Sequence, residues 1–337
     1  MTRLALTRPT QVVARAPLRV SFAGGGTDVM PYSGDHGGCV LSTTIDLYVH
    51  AVLQPAQPRP AAMAPLGPTG DLADQIDVAC RLLGYDRDGF ECRTHLGGLG
   101  GSGLGSSSAA LVAALAALAS GHGATMAPDA LARLAYRIER EETQQTGGAQ
   151  DHYAAAFGGL NFIEFGANGA GVVRPLRLDA VTTDALEASL LLCDTGIRRR
   201  SSDVLRRQVG DIQDGRPESL AALHRMKALA AEMRDRLVAG DLATFSDLMR
   251  LAWEEKLRLL GGIGDERIGR LLEAGLTAGA LTGRLLGAGG GGFLLFLVPP
   301  GRRRAVADRL ARAGGRPRPV ALSSGGAQVC LPRTVRR

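Results

Sequence analysis

Several residue types are scarce in this chain of 337 residues, and each scarcity argues against a class of protein. Aromatic residues make up 4% of the sequence, too few for the stacking platforms that single-stranded nucleic acids require. The longest apolar run, residues 109–119, is about half the length that a bilayer span requires. Arginines interrupt the first fifteen residues, so we expect no signal peptide. We therefore expect a soluble cytoplasmic protein that binds neither a membrane nor a nucleic acid.

Cysteine and lysine are also sparse. The five cysteines are an odd number without the spacing of metal ligands, so we expect buried thiols that form no disulfide, in a reducing compartment. Lys227 and Lys256 are the only lysines, and the net charge of +6 comes mainly from scattered arginines. A small anionic substrate fits this charge as well as a nucleic acid does.

The apolar pattern predicts strands and helices in a mixed order. Predicted strands cover residues 12–22, 40–53, 90–95, 158–165, 189–193, 293–298 and 329–331. Predicted helices cover residues 74–83, 109–119, 130–142, 219–239, 242–260 and 302–313, and the proline-rich segment 54–70 is predicted to be an exposed loop. Without strict βαβ alternation, these elements indicate an α+β fold, and the length favours two domains, residues 1–180 and 181–337.

The segment "GSGLGSSSA", residues 101–109, places glycines and serines directly before an apolar helix. A helix N-terminus carries unpaired N–H groups and a partial positive charge, and glycines let a phosphate approach it closely. Because the helix behind is apolar all round, we expect it to be buried, with Ser106, Ser107 or Ser108 as its cap. A flexible linker, or a plain cap on a core helix, is the alternative.

Three motifs together resemble those of the GHMP kinases, the family of galactokinase, homoserine kinase, mevalonate kinase and phosphomevalonate kinase. They are "APLRVSFAGGGTD" (residues 16–28), "GSGLGSSSA" and "LLGAGGGGFLLF" (residues 285–296), in the family's order. The resemblance implies a ribosomal-protein-S5-domain-2-like N-terminal domain, a ferredoxin-like α/β sandwich after it, and an active site in the cleft between them. It also implies ATP and Mg²⁺ as cofactors. The expected phosphate ligands are Gly101, Ser102, Gly103, Leu104, Gly105, Ser106, Ser107 and Ser108.

Four segments narrow the resemblance to the D-glycero-D-manno-heptose 7-phosphate kinases. They are "RVSFAGGGTD", "GGAQDHYAAAFGGLNFIEF" (residues 147–165), "DTGIRRRSSDVL" (residues 194–205) and "WEEK" (residues 253–256). The resemblance implies transfer of the γ-phosphoryl group of ATP to the anomeric hydroxyl of a heptose 7-phosphate. A D-altro heptose 7-phosphate, a fucose-like hexose and a non-catalytic sugar-phosphate sensor stay open, as does a homodimer. A dinucleotide oxidoreductase is disfavoured because the glycines of residues 287–292 precede a predicted strand and not a helix.

The resemblance also assigns catalytic roles. Asp151 matches the family's general base, and Arg19 matches the arginine beside it, which would favour the ionised carboxylate and stabilise the transferred phosphoryl group. Glu139 and Ser107 match the Mg²⁺ ligands. Taken alone, Asp151 is equally a helix cap, Arg19 an ordinary strand residue and Glu139 a surface charge on a helix.

Acceptor contacts are expected from three loops, each of which has a plainer interpretation as a turn or a solvated basic loop. Two departures from the family pattern are Arg284, where relatives usually carry lysine, and His152, where glutamine is common. Asp28 and Thr27 can bind sugar hydroxyls, and arginines suit a second phosphate. The predicted acceptor ligands are Gly25, Gly26, Thr27, Asp28, Thr195, Gly196, Arg198, Arg199, Ser202, Gly289 and Gly290.

Overall fold

The computed structural model describes residues 11–56, 71–86, 89–166, 169–198, 201–262 and 265–330. Most of the predicted proline-rich loop, Arg199 and the side chain of Ser202 lie outside the described residues. In these ranges we find no helix that is both long and apolar enough to cross a bilayer. No disulfide joins the five cysteines, which all lie in the described ranges, and four of them are buried.

The strands form two antiparallel sheets. In chain order they are β1 (Val12–Ala23), β2 (Gly38–Pro55), β3 (Phe90–His95), β4 (Leu160–Phe165), β5 (Gly171–Pro175), β6 (Leu190–Asp194), β7 (Thr282–Leu285), β8 (Phe293–Leu297), β9 (Arg316–Pro319), β10 (Leu322–Ser323) and β11 (Gln328–Cys330). The first sheet has the order β11-β1-β2-β4-β5, with β3 and β10 also paired to β2, and the second has the order β7-β8-β6-β9. The chain thus leaves the first sheet after β5 and returns to it for its last two strands. The division at residues 180 and 181 stays a prediction.

Helices pack on both sheets. They are α1 (Tyr32–His36), α2 (Asp71–Leu83), α3 (Ser106–Gly121), α4 (Pro128–Tyr136), α5 (Gln150–Phe157), α6 (Ala180–Ser189), α7 (Ser201–Gln213), α8 (Pro217–Val238), α9 (Leu242–Leu260), α10 (Glu266–Thr277) and α11 (Arg303–Arg312). A 3₁₀ turn covers Pro300–Arg302. The mixture of helices and antiparallel sheets confirms the α+β prediction.

The helix predicted over residues 130–142 needs a correction. Its α-helical part ends at Tyr136, and Arg137–Glu142 form a π-helix, in which the Thr143 N–H reaches back five residues to the Ile138 carbonyl. Apolar spacing cannot reveal one extra residue in a turn, and such π turns are frequent at functional sites. Short or polar elements were also absent from the prediction, among them α1, α5, α6, α7, α10, β5, β7, β9 and β10.

Helix α3 lies in the centre of the first half, against β1, β2, α4 and α5. Its alanines are small enough to let these neighbours approach on every side, so nearly the whole helix is buried, as its composition predicts. The predicted serine cap is wrong. Gly105, with φ +77°, occupies the N-cap position, and within the described chain no side chain caps α3. The serine hydroxyls are therefore available for other contacts.

One apolar core runs through both halves of the molecule. It includes α3 and the first sheet, and also Leu192 and Leu295 of the second sheet. Phe22 at the end of β1 packs edge-to-face on Phe245 of α9, with ring centroids 5.2 Å apart. A smaller core joins the second sheet to α10 and α11. The shared core fixes α9 against the end of β1, beside the cleft described next.

Candidate active site

The two glycine-rich loops contact each other through their backbones. A Cβ on Gly103 would lie 2.6 Å from the Leu286 carbonyl oxygen, and one on Gly287 would lie 2.7 Å from the Gly103 Cα. The Phe293 N–H also donates to the Ser102 carbonyl at 2.9 Å. Side chains would force these loops apart, so glycine is required here by close approach as well as by backbone conformation. The contact joins the glycine–serine loop, residues 101–108, to the second sheet.

A cleft of about 780 Å³ opens in front of the α3 N-terminus. The glycine–serine loop lines it, but Leu104 does not, because its side chain is buried in the core and its carbonyl accepts the Arg19 N–H. The Leu104 side chain therefore takes no part in the predicted phosphate site. Other lining residues are Arg19, Gly25, Gly26, Asp28, Glu139 and Asp151, facing Arg198, Arg206, Lys256, Arg284, Gly287 and Ala288.

Arg19 and Asp151 form an ion pair at the edge of the glycine–serine loop. Nε and Nη2 of Arg19 lie 2.7 and 2.6 Å from Oδ1 of Asp151, and Nη1 donates to the Gly103 carbonyl at 2.6 Å. Asp151 is in the first turn of α5 but does not cap it, because Ala149 is the N-cap residue. Both arginine bonds end on Oδ1, which leaves Oδ2 for a proton from a substrate. The structure thus brings together the two residues predicted to be catalytic.

Glu139 lies in the π-helix with its carboxylate buried against α3. Oε1 accepts a hydrogen bond from Ser107 Oγ at 3.2 Å, and Oε2 accepts bonds from Ser108 Oγ at 2.8 Å and from His152 Nε2. Arg140 is within 3.4 Å of the same Oε2. Burial by itself would raise the pKa of Glu139, but the charges of Arg140 and His152 and the hydrogen bonds outweigh it and hold the pKa well below its usual range. Glu139 is therefore an ionised, buried group and not a surface charge.

The donor set suits a magnesium ion that is carried mainly by a nucleotide. Ser107 and Glu139 both line the cleft and offer hard oxygen atoms, and Mg²⁺ commonly takes one or two protein ligands besides phosphate oxygens and water. In the described ranges no cluster of three or more His, Cys, Asp or Glu side chains is arranged to hold a metal. The residues therefore fit a nucleotide-bound ion better than a metal held by protein alone.

Asp28 joins the first motif to α5. Its Oδ1 accepts from the Gly26 N–H at 2.9 Å and from Gln150 Nε2 at 3.1 Å, and its Oδ2 accepts from the Gln150 N–H at 3.0 Å. A Cβ on Gly148 would lie 1.9 Å from Oδ2, so that position requires glycine. Asp28 lines the cleft with Gly25 and Gly26 and also has this structural role.

Several predicted acceptor ligands do not reach the cleft. The Thr27 hydroxyl is fully buried and bonds to the backbone of Gly24 and Cys39. Thr195 Oγ1 donates to the Gly292 carbonyl at 2.7 Å, and this bond fixes its own loop. In the third motif, Gly287 and Ala288 line the cleft in place of Gly289 and Gly290. The predictions of substrate contact are therefore corrected for Thr27, Thr195, Gly196, Gly289 and Gly290.

Arg198 lines the cleft but already has a partner. Its Nη1 and Nη2 donate to the two carboxylate oxygens of Asp194 at 2.7 and 2.9 Å. Burial tends to raise the pKa of Asp194, but this pairing and the Gly196 N–H lower it overall. Arg199 and the side chain of Ser202, the other predicted phosphate ligands, lie outside the described residues.

Sequence reasoning missed several cleft residues, of which Lys256 and Arg284 are the two buried cations. Lys256 is 3% exposed, with Nζ 3.5 Å from Gln208 Oε1, and burial together with the charge of Arg284 lowers its pKa to about 8. Arg284 donates to the Phe22 carbonyl, and burial lowers its pKa to about 10. The sequence did contain two features that could have drawn attention to these residues. Lys256, in "WEEK", is one of only two lysines, and Arg284 departs from the family pattern. Nothing in the sequence placed the two side chains together.

A helix N-terminus that opens onto a cleft beside a carboxylate–arginine pair is an arrangement typical of phosphoryl transfer to a hydroxyl group. Family models agree: the GHMP kinases N terminal domain matches residues 75–159 and the GHMP kinases C terminal domain matches residues 226–316. The D-glycero-alpha-D-manno-heptose 7-phosphate kinase of Campylobacter jejuni is 32% identical over an alignment of 318 residues, and the match covers 89% of this chain and 93% of that protein. The chain belongs to the GHMP kinase family and is an ATP-dependent kinase.

Solved structures share the fold. A D-glycero-D-manno-heptose 1-phosphate kinase from Bacteroides thetaiotaomicron superposes with a TM-score of 0.74 at 29% identity, covering 95% of this chain and 99% of that one. The galactokinase of Lactococcus lactis, solved with galactose, gives a TM-score of 0.72 at 18% identity, covering 94% and 95% of the two chains. The two-domain GHMP kinase fold expected from the motifs is confirmed.

Proposed function

We propose that this protein is a sugar-1-kinase that transfers the γ-phosphoryl group of ATP to the anomeric hydroxyl of a heptose 7-phosphate, giving heptose 1,7-bisphosphate. The ion pair between Arg19 and Asp151 is the observation that carries the proposal. Arg19 anchors this ion pair to the glycine–serine loop by donating to the Gly103 carbonyl, next to the N-terminus of the buried helix α3. A general base is thus placed beside the site where phosphates would bind.

In the proposed reaction, Asp151 Oδ2 accepts the proton of the sugar C1 hydroxyl as its oxygen bonds to the γ-phosphorus atom. The bond between that phosphorus and the bridging oxygen breaks at the same time, and ADP leaves. Such base assistance contributes about 10²–10⁴ in rate. Arg19 fixes the orientation of the carboxylate and adds positive charge where the transferred phosphoryl group develops negative charge.

The nucleotide phosphates are assigned to the glycine–serine loop. Main-chain N–H groups and serine hydroxyls there meet the positive end of α3. Ser107 and Glu139 would hold Mg²⁺, which would neutralise phosphate charge when bound. His152 and Ser108 keep the Glu139 carboxylate in place through Oε2.

The proposed acceptor follows from relatives and from charge. The names of two relatives specify heptose phosphates but place the existing phosphate at C7 in one case and at C1 in the other. The C-terminal half of the chain lines the cleft with four cationic side chains, those of Arg198, Arg206, Lys256 and Arg284. These cations support an acceptor that carries its own phosphate.

The five cysteines form no disulfide, and this supports a cytoplasmic location for the protein.

A substrate panel tests the proposal. Purified protein with MgATP is assayed against D-glycero-D-manno-heptose 7-phosphate, its D-altro isomer, sedoheptulose 7-phosphate and free hexoses, and the product is examined by ³¹P NMR. We expect the highest kcat/KM with a heptose 7-phosphate and a new phosphate resonance on C1. Preference for a free hexose, or a new phosphate on any other carbon, would contradict the proposal.

A further inference from the structure

Two buried cations on the cleft wall have no counter-ion among the residues whose side chains the structure describes. Lys256 is 3% exposed and Arg284 is 1% exposed, and both line the cleft. Among the residues that the structure describes, neither side chain forms an ion pair, and Nε of Arg284 is buried with no hydrogen-bond partner. The ammonium group of Lys256 has only the Gln208 amide oxygen, at 3.5 Å.

Nearby carboxylates are engaged elsewhere. Glu255, the neighbour of Lys256 on α9, pairs with Arg225 and Arg258. Asp28 attracts the lysine electrostatically, but both of its oxygens already accept hydrogen bonds from Gly26 and Gln150. Burial of an unpaired charge is costly, and a buried cation is normally compensated by an anion. The uncompensated pair therefore indicates an anion that arrives with a ligand.

The position of Lys256 favours the acceptor over the nucleotide. Gln208 on α7, which accepts from the Lys256 ammonium group, also donates to the Gly26 carbonyl at 3.3 Å. Lys256 is thereby linked to the glycine turn that precedes Asp28, and this turn contains the predicted acceptor ligands Gly25 and Gly26. The nucleotide phosphates have their own site at the α3 N-terminus, which contains no lysine.

We propose that Lys256 and Arg284 form the binding site for the phosphate group that the acceptor sugar carries. This assignment rests on the proposed function, and it replaces Arg198, whose guanidinium is taken by Asp194. Arg284 supplies planar N–H donors and Lys256 a point charge, a combination that suits a phosphomonoester dianion. Gln208 is a positioning residue, because its amide holds the ammonium group toward Gly26.

The two-lysine composition permits a direct binding test. Protein with isotope-labelled lysine side chains gives two signals by NMR, and Lys227→Arg identifies which is which. The protein is first saturated with a non-hydrolysable MgATP analogue, so that the γ-phosphate position is filled, and inorganic phosphate is then titrated. We expect a saturable shift of the Lys256 signal, no shift of the Lys227 signal, and binding at least tenfold weaker in Arg284→Gln.

The opposite pattern would overturn the assignment. If the Lys256 signal moves when the nucleotide analogue is added but not when phosphate is added, the lysine serves the nucleotide. If neither addition moves it, the pair is not an anion site. This readout requires no turnover, so it is independent of whether the proposed reaction takes place.

A kinetic comparison separates the site from the function. Lys256→Gln should raise the KM for the phosphorylated acceptor at least tenfold and leave the KM for ATP within twofold, and Lys256→Arg should recover part of the loss. Lys227→Gln is the matched control, because the Lys227 ammonium group donates to the His36 carbonyl and does not line the cleft. If wild-type protein phosphorylates sugar phosphates and Lys256→Gln leaves both KM values unchanged, the site assignment fails while the function stands. If wild-type protein phosphorylates none of them, the proposed function fails.

Discussion

Gly105 and Asp151 are in direct contact, so the phosphate loop and the proposed base determine each other's position. A Cβ on Gly105 would lie 3.1 Å from Cγ of Asp151, and Gly105 has φ +77°, a conformation that disfavours side chains. The same carboxylate is bonded to Arg19, which in turn bonds to the Gly103 carbonyl. Nucleotide site and base thus form one rigid unit.

Gly105→Ala should therefore reduce catalysis more than it reduces stability. The added methyl group displaces Asp151 from Arg19, and a misplacement of about 1 Å can reduce the rate about 10²-fold. Steady-state kcat is the measurement. Gly166→Ala is the control, because a Cβ there meets nothing within 4 Å. Equal kcat values for the two variants would mean that the contact is irrelevant to turnover.

His152→Ala should weaken the response to magnesium. The histidine holds Oε2 of Glu139, and loss of such an outer contact typically reduces metal affinity by about 10–100-fold. His152→Gln should stay close to wild type, because a glutamine amide can also donate to the carboxylate. The Mg²⁺ concentration for half-maximal rate is compared in the three proteins. An unchanged value in His152→Ala would remove His152 from any role in positioning Glu139.

Lys256→Met should stabilise the protein at neutral pH. The pKa of Lys256 is about 8 in the folded protein and about 10.4 in an unfolded chain, so the unfolded chain binds more protons between these values. Burial of the charge therefore destabilises the wild type by about 3 kcal/mol below pH 8, and this penalty disappears as the pH rises to about 10.4.

The measurement is the difference in free energy of unfolding between Lys256→Met and wild type across this pH range. We expect the variant to be more stable at pH 7 and the difference to shrink toward pH 10. Lys227→Met serves as the control at the other lysine, which does not line the cleft. A destabilised Lys256→Met at pH 7 would show that the lysine has a structural partner and is not kept for a ligand.

The glycine motifs could be predicted from sequence because their requirements are local. A loop such as residues 101–108 needs positive φ angles and close approach, which few residues besides glycine allow, and α3 is apolar on every face. Pairing of Arg19 with Asp151 followed from the family motifs and is present in the structure. Thr27 was misjudged because a turn hydroxyl can face either substrate or backbone, and the sequence does not distinguish them.

The grouping of Lys256, Gln208 and Arg284 could not be predicted, because it depends on tertiary contacts. Lys256 on α9, Gln208 on α7 and Arg284 on β7 are far apart in sequence and meet only after the second sheet packs on the first. Glu139 faces inward only because the chain widens into a π turn, which the apolar spacing does not show. For the two cations the missing information was the relative placement of elements, and for Glu139 it was the local type of helix.

The central claim, that Asp151 is the general base for phosphoryl transfer, is tested most directly by single-turnover kinetics of Asp151→Asn. The substitution keeps the shape of the side chain and removes its charge, so MgATP should bind as in wild type, which a parallel binding titration checks. With saturating MgATP and heptose 7-phosphate, the account predicts a rate of phosphoryl transfer about 10²–10⁴ below wild type. A rate within a few-fold of wild type, with nucleotide binding intact, would contradict it.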